Sequence, residues 1–157
     1  MTDIDADRAG PTARSPAASA VLGVVGLAAI VGGSFLPWLQ SGRTSRNSYQ
    51  TGGVVRRLVG TDDLVNGLVR LWPAVGIACA VAIALYLIGL RTIAAIVAGL
   101  AALGGGAAAI GALAATANSY ARVDLSGPVV TLTGAILVAL AVLLRALSAV
   151  AVPRSPR

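Results

Sequence analysis

No charged residue stands between Arg14 and Arg43, between Arg70 and Arg91, between Arg91 and Arg122, or between Asp124 and Arg145. Each interval can hold an α-helix of roughly 20 residues, the length that crosses a hydrocarbon core of about 30 Å. A helix satisfies its own backbone hydrogen bonds, which an interior without water demands. The intervals therefore predict four membrane spans, at about 17–38, 71–90, 92–115 and 129–150. Composition agrees, since only 11% of the residues are charged, against roughly a quarter in a soluble domain. The expected fold is all-α: a polytopic membrane protein with four transmembrane helices in an antiparallel bundle under a short amphipathic extracellular cap. Residues 1–16 read as a disordered N-terminal tail, 17–150 as the membrane domain and 151–157 as a basic C-terminal tail. A cleaved signal peptide is disfavoured, because the first apolar run exceeds the usual h-region of roughly 7–15 residues and follows a long acidic tail.

Small residues mark where helices can approach closely. In the first span Ser19 pairs with Gly23, Ala28 with Gly32 and Ala29 with Gly33 at helical spacing. Pro37 and Trp38 then read as a helix stop and an anchor at the headgroup level. Pro73 falls in the first turn of the second span, where a missing N–H is harmless. Arg91 alone separates the second and third spans, which requires a tight helical hairpin. The third span is almost all Ala, Gly, Ile and Leu, with Gly104, Gly105 and Gly106 at its middle. Its small residues cover most of its circumference, so it is expected to be a central helix packed on more than one side. Gly99, Gly104, Gly105, Gly106 and Gly111 are the expected packing glycines.

The one long polar interval is the loop 40–70, flanked by Trp38 and Trp72, both expected as interfacial anchors. Ser41, Gly42, Ser45, Asn47 and Ser48 predict an irregular opening. Ser48 is a possible N-cap for a short amphipathic segment carrying Val54, Val55, Leu58 and Val59 opposite Arg56 and Arg57. Gly52 and Gly53 leave open whether that segment is helix or strand. Gly60 ends it, and Thr61 caps a second segment with Asp62 and Asp63 in its first turn, where the helix dipole favours them. The second connection, Thr116 to Pro128, is short.

All twelve basic residues are arginine, and the chain has neither histidine nor glutamate. The net charge of +6 flanks apolar runs, which points to anionic lipid headgroups as partners rather than nucleic acid. Cys79 is the one cysteine. No metal, cofactor or catalytic site is expected. Asp62 and Asp63 are adjacent, so on a helix they point about 100° apart and do not face one another. With both termini inside, six arginines fall on each side, and the positive-inside rule is silent. On the terminal side Arg14, Arg91, Arg145 and Arg154 lie closest to span ends, the acidic Asp62, Asp63 and Asp124 lie on the loop side, and long loops translocate with less regard for charge. These favour cytoplasmic termini and an external loop, in a multi-pass protein of the cell membrane.

Phe35-Leu36-Pro37-Trp38, Ser41-Gly42, Arg46-Asn47-Ser48-Tyr49, Arg56-Arg57-Leu58 and Leu71-Trp72-Pro73 together resemble small uncharacterised membrane proteins of actinobacteria. That resemblance covers about 17–150 and implies four helices with a long first outer loop and a short second one. It implies no activity. The plan is also loosely similar to claudin-type tetraspan proteins, but the loop lacks their cysteine pair, so neither a junctional role nor a sheet-forming loop is expected. The expected function is non-enzymatic: an accessory or scaffold subunit that binds an envelope partner through Arg46, Tyr49, Arg56, Arg57, Asp62 and Asp63. The alternative is a small transporter or channel subunit that oligomerises around the third span.

Overall fold

The computed structural model describes residues 16–41, 44–51, 63–115 and 122–150. The two tails, Arg56, Arg57, Thr61, Asp62 and the helix-or-strand question at 52–60 lie outside the described residues. The elements run α1 (Pro16–Phe35), β1 (Pro37–Ser41), β2 (Thr44–Asn47), α2 (Asp63–Leu87), α3 (Arg91–Ala115), β3 (Arg122–Val123) and α4 (Ser126–Val150). Each of the four helices is long and apolar enough to cross a membrane.

Burial is inverted relative to a water-soluble bundle. The interior is built largely of small side chains, such as Ala82, Ala98, Ala101, Ala102, Ala109 and Ala135. Large ones, including Ile77, Leu100, Leu103, Ile136 and Leu143, stand exposed on the outer faces. Lipid tails are as apolar as leucine, so helices in a bilayer associate through close dispersion contact instead of apolar burial. Small residues permit that contact.

The closest contact is between α1 and α4. A Cβ built on Gly26 would stand 2.8 Å from the Gly134 carbonyl oxygen, and one on Gly134 would stand 2.6 Å from the Gly26 oxygen. Gly23 meets Ala141, and Gly33 meets Thr131. Residue numbers rise on one helix as they fall on the other, so the two run in opposite directions. Backbone approach this tight allows Cα–H···O contacts. The Thr131 hydroxyl is buried with no hydrogen-bond partner among the described residues. It lies against Gly33, where such a weak contact is available to it.

α2 and α3 form the expected hairpin, but residues 88–90 make the turn. The Gly89 and Leu90 amides donate to the Tyr86 and Leu85 carbonyls at 3.1 and 2.9 Å. This is a Schellman C-cap. It needs a left-handed residue, which Gly89 supplies at φ 89°. On α3, a Cβ on Gly105 would meet Ile30 of α1, Thr131 of α4 and Val75 of α2, and one on Gly106 would meet Ala135. Gly104 also meets Val75, whereas a Cβ on Gly99 or Gly111 would meet nothing within 4 Å.

Three expected boundaries shift. The segment from Asp63 and the second span are one continuous helix, with Pro73 well inside it. A proline is tolerated there because neighbouring helices can re-satisfy the freed carbonyl. The fourth span begins at Ser126, not Val129, and takes Pro128 into its first turn. The first span ends at Phe35, and Pro37 and Trp38 belong to a strand.

The opening of the long loop is ordered, contrary to its expected irregularity. β1 pairs antiparallel with β2 and with β3, giving the order β2-β1-β3. The fold therefore carries a small sheet that an all-α reading omits, and the loop forms sheet without a cysteine pair. Register runs through Leu39 with Arg46, Gln40 with Ser45 and Leu39 with Val123.

Candidate functional site

The features that distinguish this bundle gather where the sheet meets the helix ends. Trp38 sits at an irregularity in the β1–β2 register, between Pro37 and Leu39. A bulge of this kind bends a strand and re-aims one side chain. Here it turns the indole inward, and Trp38 is only 6% exposed. Its Nε1–H donates to the Gly33 carbonyl at 2.8 Å. Gly127 at the start of α4 lies flush against the indole and the Pro37 carbonyl, leaving no room for a side chain. Trp38, expected as an anchor among headgroups, is thus enclosed by protein.

Trp72 meets Trp38 edge to face, with ring centroids 5.6 Å apart and planes at 69°. Its Nε1–H donates to Ser48 Oγ at 3.0 Å. The Ser48 hydroxyl donates in turn to the Ser34 carbonyl at 2.6 Å, a buried bond. The last carbonyls of a helix have no partner within it. Three loop and helix side chains, Trp38, Ser48 and Trp72, supply those partners for α1 directly or in relay.

Ser48 is free to point inward because it is not the cap. Asn47 Oδ1 accepts the Gln50 amide at 3.0 Å, and Gln50 Oε1 accepts the Asn47 amide at 3.3 Å. This reciprocal pair is a capping box, with Asn47 in the role expected of Ser48. It starts the helical turn at 48–51.

Asp124 ties the second connection in. Its amide donates to the Trp38 carbonyl at 3.2 Å. Its Oδ1 accepts the Ser126 hydroxyl at 2.6 Å and the Ser126 amide at 3.0 Å, an N-cap for α4. The Ser126 hydroxyl, then its amide, hold the Asp124 carboxyl below the usual carboxylate range. A depressed folded pKa contributes stability that is complete above the unfolded value, about 3.9, and is lost as pH falls through the folded pKa. Thermal unfolding in mild detergent is therefore expected to show Asp124→Ala less stable than the native chain at pH 7. The gap should narrow below about pH 4. A gap that stays constant down to pH 2 would refute this role.

Of the expected contact residues, Arg46 lies half-buried on β2. Tyr49 is 37% exposed. Its ring packs on Phe35 with centroids 5.6 Å apart, and its hydroxyl lies near Gly76 of α2. Asp63 opens α2. The structure thus brings Arg46 and Tyr49 to one end of the bundle beside Trp38 and Trp72. Sequence reasoning gave Ser48 the capping role that Asn47 takes, and passed over Ser34, Gly127 and the Gly26–Gly134 contact. Two signals were present: Asn47-x-x-Gln50 for the cap, and the 4-3-4-3 spacing of Gly127, Thr131, Gly134, Val138 and Ala141 for the helix contact.

No protein family, curated protein or solved structure matches this chain.

Proposed function

We propose that this protein is a non-enzymatic integral membrane subunit, an accessory or scaffold protein of a cell envelope that binds a partner through its 40–70 loop. The observation that carries this reading is the anchoring of that loop. Hydrogen bonds from Trp38, Ser48 and Trp72, the first two buried, fix its described opening to the helices. The described opening of the loop, held this way, pays little ordering entropy on binding, which favours recognition. Arg46 and Tyr49 lie on this framework, and Arg56, Arg57, Asp62 and Asp63 continue its chain. Arginine and tyrosine are the residue types that dominate protein interfaces.

The helices act as an antiparallel bundle with cytoplasmic termini and an extracellular cap. The opposed course of α1 and α4 and the α2–α3 hairpin support the arrangement. The actinobacterial resemblance stands as part of this proposal and concerns architecture alone.

A photo-crosslinking residue placed at Tyr49 in cells tests the reading. One adduct of defined mass is expected, lost on Arg46→Ala and absent when the probe sits at Leu140 on the outer face of α4. Equal adducts at both positions would sink the proposal.

A second reading, a small transporter or channel subunit assembled around α3, rests on Gly99 and Gly111. Both leave open space beside the backbone, into which a neighbouring chain could pack. Solute flux in liposomes that is abolished by Gly99→Leu with Gly111→Leu would favour it over the scaffold.

A further inference from the structure

At the end of the molecule away from the sheet lies a crevice of about 70 Å³. All four helices line it. Its floor is apolar and buried, formed by Leu27, Ala98 and Val138. Its rim carries two guanidinium groups, Arg91 at the first residue of α3 and Arg145 in the last turns of α4. Arg91 is exposed and Arg145 half-buried.

The Arg91 guanidinium carbon stands 6.0 Å from the centroid of the Tyr86 ring. A cation over an aromatic face is held in place, while its in-plane N–H donors stay available. The described acidic residues, Asp63 and Asp124, both belong to the sheet end of the molecule. The two rim arginines therefore have no described carboxylate to neutralise them. A paired guanidinium rim over an apolar floor matches one ligand chemistry, an anion carried on a hydrocarbon chain.

We infer that this crevice is a binding site for an anionic phospholipid. The phosphodiester lies between Arg91 and Arg145, and one acyl chain lies along Leu27, Ile83 and Val142. Guanidinium donors match phosphate oxygens in a bidentate fork, which an ammonium cannot do. Free inorganic phosphate would use the rim and leave the apolar floor unoccupied, so the site belongs to a lipid. The inference rests on the membrane-spanning reading and is independent of any partner at the loop end.

The test uses the full-length chain in mild detergent, titrated with phosphatidylglycerol or phosphatidylcholine of identical acyl chains. Native mass spectrometry counts the lipid retained per chain. Retention of one phosphatidylglycerol is expected at a concentration about thirtyfold lower than for phosphatidylcholine, from about fivefold per arginine. Arg91→Gln with Arg145→Gln should abolish that preference while helix content stays native by circular dichroism. Ala20→Leu, which fills the crevice wall and leaves both arginines in place, should weaken retention of phosphatidylglycerol. Millimolar inorganic phosphate should fail to displace the lipid. Equal retention of the two lipids, a preference that survives the double arginine variant, or no effect of Ala20→Leu overturns the proposal. So does a preference that emerges only in Asp3→Asn, Asp5→Asn, Asp7→Asn, which would make the N-terminal tail the occupant.

Discussion

Gly134→Ala is expected to lower the thermal midpoint in mild detergent by on the order of 10 °C, from roughly 3 kcal/mol of overpacking. The added methyl would stand 2.6 Å from the Gly26 carbonyl oxygen and 2.8 Å from the Ile30 amide nitrogen. Both are backbone atoms of a helix, so no flexible side chain can move aside. Relief requires α1 and α4 to separate, and separation breaks the Gly33–Thr131 and Gly23–Ala141 contacts along the same seam. Gly26→Ala presses on this contact from the other side, where its Cβ would stand 2.8 Å from the Gly134 oxygen. Once the helices have moved apart for one methyl, the second costs less. The double variant should therefore lose less than the sum of the single losses, as coupled neighbours do. Gly99→Ala and Gly111→Ala are the controls. Neither methyl meets anything within 4 Å, and alanine favours helix by about 1 kcal/mol over glycine. Midpoints that fall equally in Gly134→Ala and Gly111→Ala would show that the seam does not hold the helices together.

That contrast also shows what the sequence could and could not disclose. Small residues at helical spacing state that a helix can be approached closely, not that it is. On α3 the glycines at 104, 105 and 106 receive neighbours, and those at 99 and 111 do not. The difference lies in which way each points, and that depends on where the other helices stand. Charge-free length was more informative, because a bilayer leaves a buried backbone few alternatives. Helix existence was therefore legible, while helix ends were not. Pro73 and Pro128 are strong stop signals in water. Inside an apolar bundle, and at a first turn capped by Asp124, they ceased to be decisive. The loop opening was misjudged for a different reason. Its Ser, Asn and Gly content describes residues that can form turns. The β1–β2 hairpin is local, but the β1–β3 pairing depends on a partner strand some eighty residues away in sequence, which no local pattern reports. Arg56, Arg57 and Asp62, half of the expected contact set, lie outside the described residues, so the case for the loop rests on its described framework.

Trp38→Ala should be the most damaging single change at the loop end, costing about 3–5 kcal/mol. The indole fills the space between the end of α1, the start of α4 and Trp72, and Gly127 is shaped to receive it. Its removal leaves a cavity and takes away the Nε1–H that the Gly33 carbonyl accepts. The β1 irregularity that turns residue 38 inward would then hold nothing in place. Hydrogen exchange gives the loss a location. Amides of β1 and β2 should lose protection, while those of the α2–α3 hairpin around Tyr86 and Leu90 keep theirs. Two milder variants separate packing from hydrogen bonding. Trp38→Phe keeps much of the ring and should fall between Trp38→Ala and the native chain. Trp72→Phe keeps most of the edge-to-face contact, removes the donor to Ser48 Oγ and should cost about 1 kcal/mol. If Trp38→Ala left β1 and β2 protected, the sheet would be held by backbone pairing alone. The loop framework would then owe its position to something other than the tryptophan beneath it, and the case for a pre-ordered recognition surface would lose its physical basis.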